Sequence, residues 1–224
     1  MYKKYAVLVG MGDYYGDNST GFDSLPFVYK NVDELSDMLG ASGWIVYPAI
    51  LDALATEEKI MSYLFEKIGQ LDKNDWLLLY YAGHGELKNG REMFLVNAAK
   101  DFKYNLQLPY NDFLFDFEYK KIIDQFKKFS PDGHLITVLD CCYAFGLIDS
   151  FEDQQDFHTI LAASQANEQS FYSSNSFFFQ ALKKSWGSPS FLELKANIEN
   201  SITRLYRYSE CQIQIAKNFQ SSTI

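Results

Sequence analysis

Cysteine is scarce in this chain, and its placement argues against a disulfide framework. There are three cysteines in 224 residues, two of them adjacent at Cys141 and Cys142, whereas disulfide scaffolds deploy several separated pairs. No signal-peptide pattern opens the chain, so free thiols in a reducing cytoplasm are expected. No apolar run approaches the ~20 residues of a membrane-spanning helix. Positive charge is also short: 20 Lys and Arg face 29 Asp and Glu, a net charge of −9. That balance disfavours duplex nucleic acid and anionic membrane as partners and favours a basic ligand. Repeats, low-complexity segments and an appended recognition domain are not visible either.

Two motifs are missing from the first loop. Gly10-Met11-Gly12-Asp13-Tyr14-Tyr15-Gly16 places its third glycine four residues after the second, where a dinucleotide fingerprint needs three and an immediate helix. Asp13, Asp17 and Asp23 lack the spacing of a calcium loop. They read as solvated loop acids, with attraction of a basic substrate or a divalent ion as the other reading. No metal or cofactor site is expected.

What is present is a well-packed globule, 47% hydrophobic and 17% aromatic. A strand is predicted over 4–9 and a helix over 28–39, with Val28, Val32, Leu35, Met38 and Leu39 on one stripe. A strand at 44–48 follows, then a helix capped by Thr56 that carries Ile60, Leu64 and Ile68. Lys88-Asn89-Gly90-Arg91 predicts a hairpin turn before a short strand at 93–96. The segment 110–129 is predicted as mostly helix, with Phe113, Phe117, Ile122, Ile123 and Phe126 inward. Two more helices are expected, at 177–186 and from after Pro189 to 208, the second with Leu192, Leu194, Ile198, Ile202 and Leu205 as its core face. Alternation of strand and helix predicts an α/β fold: a mainly parallel sheet of about six strands with helices on both faces.

Two hydrophobic strands stop abruptly at reactive side chains. One runs from Trp76 to Tyr81-Ala82-Gly83-His84-Gly85, the other from Leu135 to Leu139-Asp140-Cys141-Cys142. Open parallel sheets bind ligands outside the carboxyl ends of their strands. A thiol becomes a nucleophile on losing its proton, and an imidazole can take that proton and return it to a leaving amine. Glycine beside the histidine permits close approach of a carbonyl oxygen, which makes the Gly85 N–H a candidate oxyanion donor. Among three histidines, only His84 has this setting; His134 and His158, at strand heads, are predicted as turn or surface residues. Cys141 and Cys211 are predicted as small buried hydrophobes.

These residues carry a family resemblance. Tyr80-Tyr81-Ala82-Gly83-His84-Gly85 with Leu139-Asp140-Cys141-Cys142 resembles the paired signature of caspase-like cysteine peptidases, nearest to the metacaspase and bacterial orthocaspase branch. Tyr5 to Gly10, Leu25 to Leu35, and Thr159 to Ser164 with Glu168-Gln169-Ser170 are similar to further elements of that family. The resemblance implies a caspase-like three-layer sandwich within one peptidase domain over 1–224. Its parts would be a large-subunit-like 1–148, an acidic linker 149–156 and a small-subunit-like 157–224. It implies a cysteine endopeptidase with His84 and Cys142 as catalytic pair and the Gly85 and Cys142 N–H groups as oxyanion donors. Asp140, Asn31 and Ser164 would lie on the substrate side, with cleavage after Arg or Lys of a protein substrate. A separate activator or regulatory protein is implied as a partner; calcium dependence is left open and has no supporting motif.

The chain also departs from the pattern. Cys142-Tyr143-Ala144-Phe145-Gly146 stands where relatives continue Cys-His-Ser-Gly, Asn31 stands where metacaspases carry an acid, and Ser176-Phe177-Phe178-Phe179 replaces a Gly-x-Phe-Thr stretch. Other readings stay open: the same fold with another preference such as Asp, a catalytically silent binding relative, or a small-molecule hydrolase or nucleotide-binding α/β protein.

One further absence generates a prediction. From Phe129 to Leu182 there is no Lys or Arg, while Asp132, Asp140, Asp149, Glu152, Asp153, Asp156 and Glu168 are acidic. A basic-specific enzyme has no site there at which to cut itself. It is therefore expected to work uncut, or cut near Lys88, Arg91, Lys100 or Lys103. Mass spectrometry of active protein checks this, and a required cut between Leu147 and Asp156 would refute it.

Overall fold

The computed structural model describes residues 2–13, 23–88, 91–97, 111–147, 156–165, 169, 170, 172, 175–205 and 211–223. Asp17, Lys100, Lys103, Glu168 and all of the expected acidic linker except Asp156 lie outside these residues, as do the side chains of Phe113, Phe117 and Leu205. Among these residues, ten strands and five α-helices follow in chain order. They are β1 (Lys4–Gly10), α1 (Phe27–Ala41), β2 (Ile45–Val46), β3 (Ile50–Leu51), α2 (Glu57–Ile68), β4 (Trp76–Ala82), β5 (Gly85–Lys88) and β6 (Arg91–Asn97). After them come β7 (Asn111–Phe115), α3 (Asp116–Phe129), β8 (His134–Asp140), β9 (His158–Ala162), α4 (Phe177–Ser185), α5 (Phe191–Leu205) and β10 (Gln212–Gln214).

Seven strands form the main sheet in the order β10-β9-β8-β4-β1-β2, with β3 also paired to β1. All its pairings are parallel except that of β10 with β9. Every residue of β4 and β8 is buried, which is why both read as continuous apolar runs: a parallel strand is covered on both faces. Helices α1, α4 and α5 pack in sequence on one face, and α2 packs with α3 on the other. The result is the three-layer α/β sandwich that the alternation predicts.

The helices start and stop where local chemistry directs. Thr56 Oγ1 accepts from Lys59 N at 3.3 Å and so caps α2. Helix α1 ends at Gly43, whose φ of 80° suits glycine, and Trp44 N closes the turn on Leu39 O at 3.1 Å. Its Val28, Val32, Leu35 and Leu39 are buried, each stabilising the fold by about 1.5–3 kcal/mol. Asn31 lies on that same buried face. In α5 the inward stripe is Phe191, Leu194, Ile198 and Ile202, while Leu192 is 47% exposed. The predicted core face thus began one residue late.

Other expectations are corrected. The strand expected at 44–48 is only the short β2, with a further short strand, β3, beyond it; the main sheet, seven strands among the described residues, agrees with the about six expected. The first part of 110–129 is β7, which completes a separate antiparallel sheet in the order β5-β6-β7; aromatic and polar residues there fit a pleated ribbon as well as a helix. The hairpin at 88–91 holds, with Lys88 opposite Arg91.

His134 and His158 are not surface residues; both are fully buried. Each opens a strand at the amino end of the sheet, where the chain enters the core. His134 Nε2 lies 2.7 Å from Thr159 Oγ1, with its ring stacked on Phe219 at 4.0 Å. His158 Nε2 lies 2.9 Å from the Tyr119 hydroxyl and 3.0 Å from Thr137 Oγ1. At this same end, Trp44 lies 6.5 Å from Trp76 and 6.4 Å from Trp186 between ring centroids, and the Lys4 ammonium sits over Trp44 and Trp76.

Burial holds both imidazoles neutral, pushing His134 well below its usual range and His158 down to about 3. The unfolded chain takes up these protons near pH ~6.5, and the native state does not. Stability from His158 is therefore complete above that pH and falls as pH drops toward 3. A His158→Gln variant is expected to lose about 1.4 kcal/mol less per pH unit than the parent between pH ~6 and ~4. Urea denaturation across that range checks it, and parallel pH dependences would refute it.

Candidate active site

Strand register assembles the site. Gly10 of β1 lies beside Ala82 of β4, which lies beside Asp140 of β8, so three strands end at one level. The residues just beyond them, Met11, Gly83 to Gly85 and Cys141 to Tyr143, share the carboxyl edge. Met11 N donates to Ala82 O at 2.8 Å and Gly83 N to Asp140 O at 3.4 Å. Gly85 lies so close to the next loop that a β-carbon there would overlap the carbonyl oxygen of Cys142. Only glycine permits that approach.

His84 is half-buried and its Nε2 lies 2.8 Å from the backbone carbonyl of Asp23. A carbonyl can only accept, so in the neutral ring Nε2 carries the proton and Nδ1 is the acceptor nitrogen. The Tyr81 hydroxyl donates to His84 O at 2.8 Å and fixes the backbone below the ring.

The two adjacent cysteines have different surroundings. Cys141 is 1% exposed, and burial, with Cys142 and Asp140 adding to it, pushes its thiol well above the usual range. Cys142 is half-buried, its sulfur 3.6 Å from Ser170 Oγ and 3.9 Å from Ser170 O. Tyr143 follows at φ 54°, a left-handed conformation that is costly for a non-glycine residue and marks a sharp turn. Ser164, expected on the substrate side, is fully buried under that turn. Its hydroxyl donates to Cys141 O at 3.1 Å and accepts from Ala144 N at 3.0 Å.

Asp140 is 5% exposed and takes three side-chain hydrogen bonds. Ser176 Oγ donates at 2.5 Å, the Tyr80 hydroxyl at 3.2 Å and Asn31 Nδ2 at 3.4 Å. Ser176 also caps α4 by accepting from Phe179 N, so one carboxyl ties β8, β4, α1 and α4 together. The other amide atom, Asn31 Oδ1, is buried with no hydrogen-bond partner among the described residues. Burial raises the carboxyl pKa to about 6, and the three donors oppose that rise.

Among the described residues, no cluster of three or more His, Cys, Asp or Glu is placed to hold a metal ion. Nor is any helix long and apolar enough to cross a membrane.

The caspase domain profile matches residues 3–220. The chain belongs to the caspase-domain peptidase family. A crystal structure of a Geobacter sulfurreducens protein is similar to this caspase domain, with a TM-score of 0.69 at 14% identity over 94% of this chain and 92% of that one. At that identity the likeness concerns the fold alone. No curated protein matches the sequence.

Several residues of this caspase domain's site escaped the sequence reading. The Asp23 carbonyl is backbone, so no side-chain pattern announces it. Ser176 was findable: a serine before Phe177-Phe178-Phe179 is an N-cap signal. Tyr80 was hidden because an aromatic in an apolar strand reads as packing alone.

The Asp140 geometry yields a sign-definite prediction. A carboxyl whose folded pKa is raised from 3.8 to about 6 stabilises the fold at low pH and loses that contribution as pH rises through 6. Ionised at pH 7, it costs on the order of 3 kcal/mol. Asp140→Asn is expected to gain stability of that order at pH 7, with the gain vanishing below pH ~4. Denaturant titrations at the two pH values test this; an equal difference at both would refute it.

Proposed function

We propose that this caspase domain is a cysteine endopeptidase of the metacaspase and orthocaspase kind, with Cys142 as nucleophile and His84 as base. The observation that carries the reading is the pairing of β4 with β8, in which Ala82 and Asp140 lie side by side. It delivers His84 and Cys142 to neighbouring strand ends. Three details support it: Cys142 is half-buried whereas Cys141 is fully enclosed, the Asp23 carbonyl favours the proton on Nε2, and Gly85 abuts the Cys142 backbone.

The chemistry follows in steps. The Cys142 thiol gives its proton to His84 Nδ1 as sulfur attacks the scissile carbonyl. The N–H groups of Gly85 and Cys142 hold the resulting oxyanion. Collapse expels the amine, which takes the proton from His84, and leaves an acyl group on sulfur. Water, losing a proton to His84, then attacks the acyl carbon and releases the acid and the free thiol.

For the residue before the cut, the reading is Lys or Arg drawn to Asp140. A cation would offset the burial that raises this carboxyl, and Asn31 Oδ1 offers a further acceptor. The second reading, another preference, draws support from the three donors already on Asp140. Protein substrates, a reducing cytoplasm that keeps the thiols free, and a separate activator complete the proposal.

Fluorogenic peptides ending in Arg, Lys or Asp, with and without calcium, test it. Cleavage after Arg or Lys is expected, abolished in Cys142→Ala, reduced ~10²–10⁴-fold in His84→Ala, and retained in Cys141→Ala. Cleavage after Asp would keep the nucleophile and overturn the basic pocket. Failure of a thiol-reactive probe to label Cys142 would favour the silent binding relative.

A further inference from the structure

The first loop is clamped at its base by a residue outside the catalytic motifs. Asp52 follows β3, whose Leu51 pairs with Gly10 at the carboxyl edge of β1. One carboxylate oxygen of Asp52, Oδ1, accepts from both Gly12 N and Asp13 N at 2.9 Å. The Tyr29 ring lies beside the same carboxylate, which adds to burial in pushing the Tyr29 hydroxyl pKa up. Tyr29 in turn lies across Gly12, where a β-carbon would come within 2.5 Å of its Cζ. Leu25 N donates to Gly12 O at 2.8 Å and closes the base of the loop. Between these anchors lies Asp23, whose carbonyl receives His84 Nε2.

Asp52 holds this place in an unfavourable backbone conformation, φ 43°. Among the described residues, the other non-glycine with positive φ is Tyr143, immediately after Cys142. Strain of this kind persists where surrounding structure overrides it, and it gathers at functional sites. The 3-10 turn that Asp52 opens, Asp52–Leu54, packs against β6, and β6 pairs with β5 where Phe94 faces Gly85. Asp52 therefore connects the loop beside His84 to the ribbon that begins at Gly85.

We propose that Asp52 is a positioning residue for the His84 base: by pinning Gly12 and Asp13 it holds the Asp23 carbonyl on His84 Nε2 and so keeps the ring proton on Nε2 rather than Nδ1. This rests on the reading of His84 as base but concerns a different residue and a different observable. The carboxylate acts through two backbone N–H groups and touches neither substrate nor thiol.

Three variants separate the acceptor from the backbone. Asp52→Asn keeps an acceptor and tolerates positive φ, Asp52→Gly keeps only the tolerance, and Tyr29→Phe removes the hydroxyl beside the carboxylate while leaving φ untouched. The readout is the ring 15N spectrum of His84, assigned against His84→Gln, together with the pH profile of Cys142 alkylation by iodoacetamide. The parent and Asp52→Asn are expected to show a single Nε2–H tautomer. Asp52→Gly should show mixed tautomers and alkylation about tenfold slower at pH 7, equivalent to one unit on the profile. Tyr29→Phe should move the same way by less, and it carries the test if Asp52→Gly does not fold. An unchanged His84 tautomer in the folded variants overturns the inference, whatever Cys142 does. Alkylation of the parent that is indifferent to His84→Gln overturns the peptidase reading instead.

Discussion

The parallel pairing of β4 with β8 is the constraint on which the rest of this molecule depends. Seven residues of each strand are hydrogen-bonded in register, and both strands are buried along their whole length. A slip of one residue would turn every side chain to the opposite face. It would also separate the histidine loop from the cysteine loop. The geometry of the candidate site is thus maintained by an extended ladder of main-chain hydrogen bonds. Gly85 and Ser164 then make the fine adjustment, one by having no side chain and the other by bonding the turn that presents Cys142.

Asp140 shows how the interior is compromised in favour of the edge. Its three donors come from α1, β4 and the start of α4, so it joins four elements at the strand ends. Yet burial disfavours its ionised form more strongly than those donors favour it. A carboxylate held this way is poised to gain from any cation that reaches it. The unpartnered Asn31 Oδ1 beside it adds to that asymmetry.

Much of this was legible in the sequence because the signals were physical. Apolar runs of β4 and β8, the capped α2 and the stripe of α1 each imposed their own period or punctuation. Glycines flanking His84 and a carboxylate before Cys141 and Cys142 marked the edge that the structure assembles. Less was legible where one residue type serves two settings. The histidines His134 and His158 looked polar and proved to be core residues, because Thr159, Tyr119 and Thr137 supply partners that lie at least 21 positions away in the chain. The β7 ribbon shared its aromatics with a helical pattern. Backbone groups such as the Asp23 carbonyl leave no trace in residue identity at all.

The three tryptophans lie together at the amino end of the sheet, beneath Lys4 and beside His134, while the reactive side chains lie at the carboxyl end. Tryptophan emission from this protein therefore originates at the end of the sheet opposite the candidate site. Loosening of the strand entrances would change the surroundings of these rings directly. The molecule carries an optical probe of its foundation at the end of the sheet opposite its candidate site.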